Sequence, residues 1–277
     1  MALLTGSAIS DTIHGTALDD QIYGYGSGDN LFGGAGDDTI YGGDVNDLIH
    51  GEDGNDTIYG GADTVGDDLY GLDGDDTNYG KSGNDRKWGG NGTDSLIGGA
   101  GNDALRGGEG NDTLDETGTL GTDTLWGGGG NDTIRGSLGN ASDLRGGGGT
   151  GDDTIFANGQ NTTVDAGADN DVIVSNNTNI AVEGGSGNDW VFTNGAGSTT
   201  VTDSSGLQDV VYFYNLSGAD IKVLVDGNDL LGSSATDLAD GTNDNGFTLK
   251  DFFLSTDHIE FLMGNDNAYH YVGDVVV

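Results

Sequence analysis

The sequence predicts an all-β solenoid, a parallel coil of very short strands followed by a segment that does not repeat. Three observations predict it. A nine-residue unit, Gly-Gly-x-Gly-x-Asp-x-large apolar-x in its full form, recurs along most of the 277 residues; residues 33 to 41, Gly-Gly-Ala-Gly-Asp-Asp-Thr-Ile-Tyr, are one complete copy. Gly numbers 56 while Pro and Cys are absent, which fits neither a collagen nor a disordered linker. The third is that each unit carries a single large apolar residue, too little to bury alone, so neighbouring units must stack to form a core.

The elements follow in order. Units begin at Gly6 and then at Gly15, Gly24, Gly33, Gly42, Gly51, Gly60, Gly71, Gly80, Gly89, Gly98, Gly107, Glu116, Gly127, Gly136 and Gly146, with drifted copies from Ala157 to Tyr212. Within a unit the first six residues form a tight Gly-rich turn ending in Asp. The last three, such as Thr39, Ile40 and Tyr41, alternate outward, inward, outward with the two-residue period of a strand. Residues 1–212 are therefore read as the coil and 213–277 as a terminal cap, since a solenoid leaves unpaired backbone at its last turn.

A turn lined with carboxylate and carbonyl oxygen suits calcium, which takes six to eight hard ligands in flexible geometry. Magnesium wants stricter octahedral geometry, and with no Cys and four His there is little from which to build a zinc or copper site. At this point the chain resembles the RTX, or haemolysin-type calcium-binding, repeat family. The resemblance implies a right-handed parallel β-roll with 18 residues per turn and calcium between turns on the same side. It implies as ligands the sixth-position Asp carboxylates with carbonyls of the preceding turn: Gly33 and Ala35 with Asp38, Gly51 and Asp53 with Asp56, and likewise Gly107 with Glu109, Gly127 with Gly129, and Gly184 with Ser186.

Charge points the same way. Asp and Glu number 47 against 8 Lys and Arg, a net −39 that a compact chain does not hold without counter-ions. Units with Asp in sixth place supply Asp11, Asp20, Asp29, Asp38, Asp47, Asp56, Asp67, Asp76, Asp85, Asp94, Asp103, Asp112, Asp123, Asp132, Asp153, Asp171, Asp189 and Asp209. Seven fall on one side of the roll and eleven on the other, so pairing neighbours predicts about 16 calcium ions and a residual charge of about −7.

Departures from the pattern carry their own expectations. Two extra residues in the units at Gly60, Glu116 and Gly146, and one at Gly136, fall in turns and should leave strand phase intact. Asn78 and Lys87 occupy inward positions at nearly one level. A local distortion with Trp88 filling the gap is the expectation there, because an unpaired buried ammonium is costly. Lys81, Arg86 and Lys87 read as a local neutralising patch more than a docking site. After Ala157 the turns at Asp171, Asp189 and Asp209 keep their carboxylate, whereas those near Thr162, Ile180 and Thr199 lose it, so calcium is expected along one edge only.

Several functions are excluded or disfavoured. Strong acidity argues against nucleic acid and anionic membranes as partners. No run of 18 apolar residues and no conventional signal peptide is present. His14, His50, His258 and His270 fall in no catalytic pattern, so no enzyme is predicted. The terminal Asp274, Val275, Val276 and Val277 resemble the end of uncleaved type I secretion signals, which implies export followed by folding on extracellular calcium.

Every second unit contributes to one outer face, and there the ninth positions begin Tyr23, Tyr41, Tyr59, Tyr79 beside a ladder of Thr. Aligned like residues stabilise adjacent strands, and an aromatic ladder also suits a surface that is covered. The leading reading is a secreted calcium-binding structural protein that self-associates or coats a cell surface as a sheath, surface layer or filament. The alternatives are a polysaccharide-binding module and, less favoured because Tyr spoils a flat Thr face, an ice-binding protein.

Overall fold

The computed structural model describes residues 1–193 apart from 63, 118–120, 138–142, 148–149 and 176–179, and beyond them the strands 199–202, 209–213, 222–226, 229–233, 247–250, 259–263 and 269–271. Successive strands alternate between two sheets of 14 strands each. Gln21–Gly26 pairs in parallel with Thr39–Asp44, with Ile22 opposite Ile40 and Tyr23 opposite Tyr41, while Asn30–Ala35 pairs with Leu48–Asp53 in the other sheet. Each strand thus finds its partner two units on, the 18-residue turn of a parallel β-solenoid, and no helix occurs among the described residues. No helix long and apolar enough to cross a membrane is present there either.

The eighth residue of each unit fills the narrow space between the sheets. Ile22, Leu31, Ile40, Ile49, Ile58 and Leu69 form one apolar cluster, and a second runs from Leu96 through Leu105, Leu114 and Leu125 to Val201. Each such side chain, fully buried, contributes about 1.5–3 kcal/mol. The inserted residues leave the phase untouched: Asp47 and Asp67 are 20 residues apart, and Asp132 and Asp153 are 21 apart, yet they make the same ladder bond at 2.9 and 2.8 Å.

Two kinds of glycine make the turn. At the second position φ is left-handed, as in Gly34 (115°), which side chains adopt at a cost. At the first position the demand is for space: a Cβ on Gly24 would lie 2.5 Å from both Asp29 Oδ2 and the Gly42 carbonyl oxygen.

Beyond the repeats both sheets reverse direction. Asp209–Phe213 pairs in parallel with Ile259–Met263, which then pairs antiparallel with Tyr269–Tyr271. In the other sheet Thr199–Thr202 pairs in parallel with Phe247–Lys250, which continues antiparallel into Asp229–Ser233 and Lys222–Asp226.

Candidate metal centre

The sixth-position aspartates form two inward-facing columns, one at each edge of the roll. Along the first, the backbone N–H of Asp11 donates to Asp29 Oδ1, Asp29 to Asp47, Asp47 to Asp67, Asp67 to Asp85, Asp85 to Asp103 and Asp103 to Asp123, all within 2.7–2.9 Å. The second runs from Asp20 through Asp38, Asp56, Asp76, Asp94, Asp112, Asp132, Asp153 and Asp171 to Asp189 at 2.6–2.9 Å. These are the two columns that the unit alternation predicts.

Only one carboxylate oxygen is used in this way. The Oδ2 atoms of Asp29, Asp38, Asp56, Asp76, Asp94, Asp103, Asp112, Asp123, Asp132 and Asp171 are buried and accept no hydrogen bond. Those of Asp29, Asp38, Asp56, Asp76, Asp94 and Asp112 face the Cα of the first glycine of their own unit, and the carbonyl of the first glycine two units on faces the same small space, as at Gly24 and Gly107. Two hard oxygens confronting one another there call for a cation. Burial accordingly resists ionisation: it pushes Asp38, Asp103 and Asp112 up to about 6, Asp56, Asp94, Asp132 and Asp153 to about 7, and Asp76 and Asp171 to about 8.

The proposed carbonyl partners divide by position. First-position carbonyls such as those of Gly51 and Gly127 face the glycine Cα of the preceding coil, at Gly33 and Gly107. Third-position carbonyls are engaged: Asp53 accepts from Gly36 N–H, Glu109 from Gly92 and Gly129 from Gly110, at 2.9, 2.9 and 2.6 Å, which leaves each a second lone pair. Gly184 is buried beside Asp189, and Ser186 is exposed. Ala35 donates its N–H to Thr16 O at 3.0 Å.

The first coil differs. Asp11 Oδ2 accepts from the N–H of Ser7 at 2.6 Å, and Asp20 Oδ2 from the N–H and hydroxyl of Thr16 at 2.7 and 2.8 Å. Ser7 and Thr16 stand where later units carry the second glycine, so protein donors satisfy at this end what is left unsatisfied further along. Hydrogen bonding, first that from Ala2 N–H, holds Asp20 below the usual carboxylate range.

After residue 157 the edges diverge as expected within the described residues. Asp171 and Asp189 continue their column, whereas Thr162 and Ile180 stand buried at the corresponding places of the other, with Ala181 N–H donating to Thr162 O. The strands beginning at Thr199 and Asp209 are in place, while the side chains of Thr199 and Asp209 and the terminal Asp274 to Val277 lie outside the described residues.

The distortion expected at Asn78 and Lys87 does not occur. Lys87 stays in register with Leu69 and Leu105, and Asn78 with Ile58 and Leu96, and both are fully buried. A polar layer replaces the apolar one because each finds partners: Asn78 Nδ2 donates to Trp88 O at 3.2 Å, and Lys87 Nζ donates to Gly98 O at 3.2 Å and lies 3.5 Å from Asp85 Oδ2. Trp88 stacks outside on Tyr70 at 4.5 Å. Lys81, Arg86 and Lys87 form no single patch, since Arg86 pairs with Asp68 and Lys81 lies over Tyr59 and Tyr79.

Glu116 was not singled out from the sequence as a ligand. It takes a first-glycine position, is fully buried, and groups with Asp103 and Asp123 so that their carboxylate oxygens lie within 4.8 Å of one another. Burial pushes it up to about 9. A second missed feature is an outer ladder made by the fifth position. Asn55 N–H donates to Asp37 Oδ1, Asp75 to Asn55 and Thr93 to Asp75, opposite in sense to the inner column. The recurring Asp or Asn before the sixth-position Asp was its signal.

Outside, Tyr23, Tyr41, Tyr59 and Tyr79 form a continuous stack with centroids 4.7–4.9 Å apart and planes within 7°. The rings are half-buried against one another. The opposite face carries a less regular run: His14 stacks on Phe32, His50 meets Tyr70 at 4.7 Å with the rings tilted by 35°, and Arg106 lies over Trp126 at 4.6 Å. His14 is exposed, as expected of a solvent-facing residue, but His50 is half-buried, and burial lowers its pKa.

Comparison with known proteins agrees with this geometry. No curated protein matches the chain. The family model described as RTX calcium-binding nonapeptide repeat (4 copies) matches residues 5–40, 32–64, 66–86, 88–115, 117–141, 147–178 and 182–196. These matches span more than half of the sequence and both aspartate columns, and the chain belongs to the RTX calcium-binding repeat family.

Proposed function

We propose that this is an extracellular structural protein whose roll is assembled by calcium along the two aspartate columns and which then associates with itself or coats a cell surface. The observation that carries the calcium role is the set of buried Oδ2 atoms without a hydrogen bond on Asp29, Asp38, Asp56, Asp76, Asp94, Asp112, Asp132 and Asp171. Asp carboxylates and first-position carbonyls would hold the ions, which supply the positive charge that a −39 chain lacks. The residues from 213 onward serve as the cap, with the last few acting in export. Circular dichroism with and without chelator tests this. A spectrum that gains β structure at roughly 10⁻⁴ to 10⁻³ M calcium is expected, and one indifferent to calcium refutes it.

The stacked tyrosines support the association step. Their faces are spent on one another, which favours a flat partner such as a second copy over sugar rings that stack face-on. Light scattering in saturating calcium should show higher-order species. A protein that stays monomeric at high concentration moves the reading toward a glycan-binding role.

A further inference from the structure

Among the described residues the apolar core is interrupted at one level, between the cluster that ends at Leu69 and the one that starts at Leu96. A cation lies in the gap. Lys87 points inward from the strand Arg86–Asn91 and is wholly buried. Its Nζ contacts two oxygens, Asp85 Oδ2 at 3.5 Å and the Gly98 carbonyl at 3.2 Å.

These oxygens are not an arbitrary pair. Asp85 is the sixth residue of the unit that starts at Gly80, and Gly98 is the first residue two units later. The same two kinds of oxygen meet beside the Cα of Gly24 (Asp29 Oδ2 and Gly42 O) and of Gly107 (Asp112 Oδ2 and Gly127 O). Beside Gly80 the neighbours are Asp85 Oδ2, Gly98 O and, between them, Lys87 Nζ.

We propose that the Lys87 ammonium stands in for a calcium ion at this level of the roll, so that the coil from Gly80 to Gly98 closes on a tethered cation and carries one metal ion fewer than its neighbours. The physical grounds are charge and reach. A buried ammonium is tolerated only when paired and hydrogen-bonded, and here a carboxylate and a carbonyl provide both. The four-carbon stem fills the inward position that Leu or Ile fills elsewhere, which brings the charge to the column without shifting the strand. Asp103, Glu116 and Asp123 on the same column also feel this positive charge. An ion cannot enter between Asp85 and Gly98 without displacing the ammonium into an apolar core.

The inference rests on the reading that the columns take calcium, and native mass spectrometry of the full chain in saturating calcium counts the ions. Lys87→Leu should bind one calcium more than the wild type. Leu69→Lys moves the same construction one coil back, since Leu69 is in register with Lys87 and follows Asp67 by the same two residues; it should bind one calcium fewer. Unchanged counts in either folded, calcium-loaded variant overturn the proposal. Should both variants fail to fold, anomalous diffraction from the wild type decides: a metal peak beside Lys87 Nζ overturns it, and peaks at neighbouring coils with none there support it. A wild-type chain that binds no calcium removes the function proposed above and this inference with it, a result distinct from an unchanged count.

Discussion

Asp76 Oδ1 accepts a 2.8 Å hydrogen bond from the backbone N–H of Asp56, one coil earlier, while Asp76 Oδ2 accepts none. One carboxylate therefore does two separable things. Its first oxygen fixes the spacing of adjacent turns, and its second makes the demand for a cation.

That division predicts different outcomes for two substitutions. Asp76→Ala removes the acceptor of a buried N–H and should cost about 1–3 kcal/mol even before any loss of calcium. Asp76→Asn keeps an oxygen for Asp56 but loses the charge, so its stability should respond less to calcium while its calcium-free behaviour changes little. Denaturant unfolding at several calcium concentrations separates them. An Asn variant with the full calcium dependence of the wild type contradicts the assignment of Oδ2.

The pH dependence follows from burial. Asp56, Asp76, Asp94, Asp132, Asp153 and Asp171 rise from 3.8 to about 7 or 8 in the metal-free fold, so that fold holds protons more tightly than the unfolded chain does. Stability from these groups is present in acid and is lost as pH climbs from about 4 through 8. In chelator, β structure should therefore increase on acidification from pH 8 to 5. Calcium needs the ionised form, so its binding at pH 7 should release protons, measurable in weakly buffered solution. Binding without proton release would show that the carboxylates are already ionised.

Backbone strain at Leu72 gives a third expectation. Its φ is 91° at a second-position site where Gly90 stands in the next coil, and its side chain is 38% exposed. A left-handed non-glycine residue costs about 1–2 kcal/mol. The greater freedom of glycine in the unfolded chain offsets about half of that. Leu72→Gly should raise stability by about 0.5–1 kcal/mol in a calcium-saturated unfolding curve, and a loss of that size would show that the side chain packs on something.

The tyrosine stack can be tested one ring at a time. Tyr41→Ser removes contacts to both Tyr23 and Tyr59 and should cost about 1–3 kcal/mol, whereas Tyr23→Ser, which loses Tyr41 and only the more distant Tyr25 at 6.0 Å, should cost less. Replacing Tyr23, Tyr41, Tyr59 and Tyr79 together should abolish higher-order species while a calcium-induced circular dichroism change persists. Assembly that survives all four replacements assigns the interface elsewhere.

The 18-residue coil that sorts the aspartates into two columns was what the family resemblance implied, while the sequence by itself determined the nine-residue unit, the inward positions from Ile22 to Leu69, the sixth-position aspartates and the loss of every second one after residue 157. Each of these depends only on a residue's place within its own unit, and stacking repeats that place without altering it. The tertiary structure alone decided what fills the exceptions. Lys87 finds Asp85 two residues away but Gly98 eleven residues on, in the opposite sheet, and Glu116 meets Asp103 and Asp123 from a place where the pattern has a glycine. No period encodes such partners. The cost of burying a charge is set by which oxygens surround it, and that is known only once the coils are stacked.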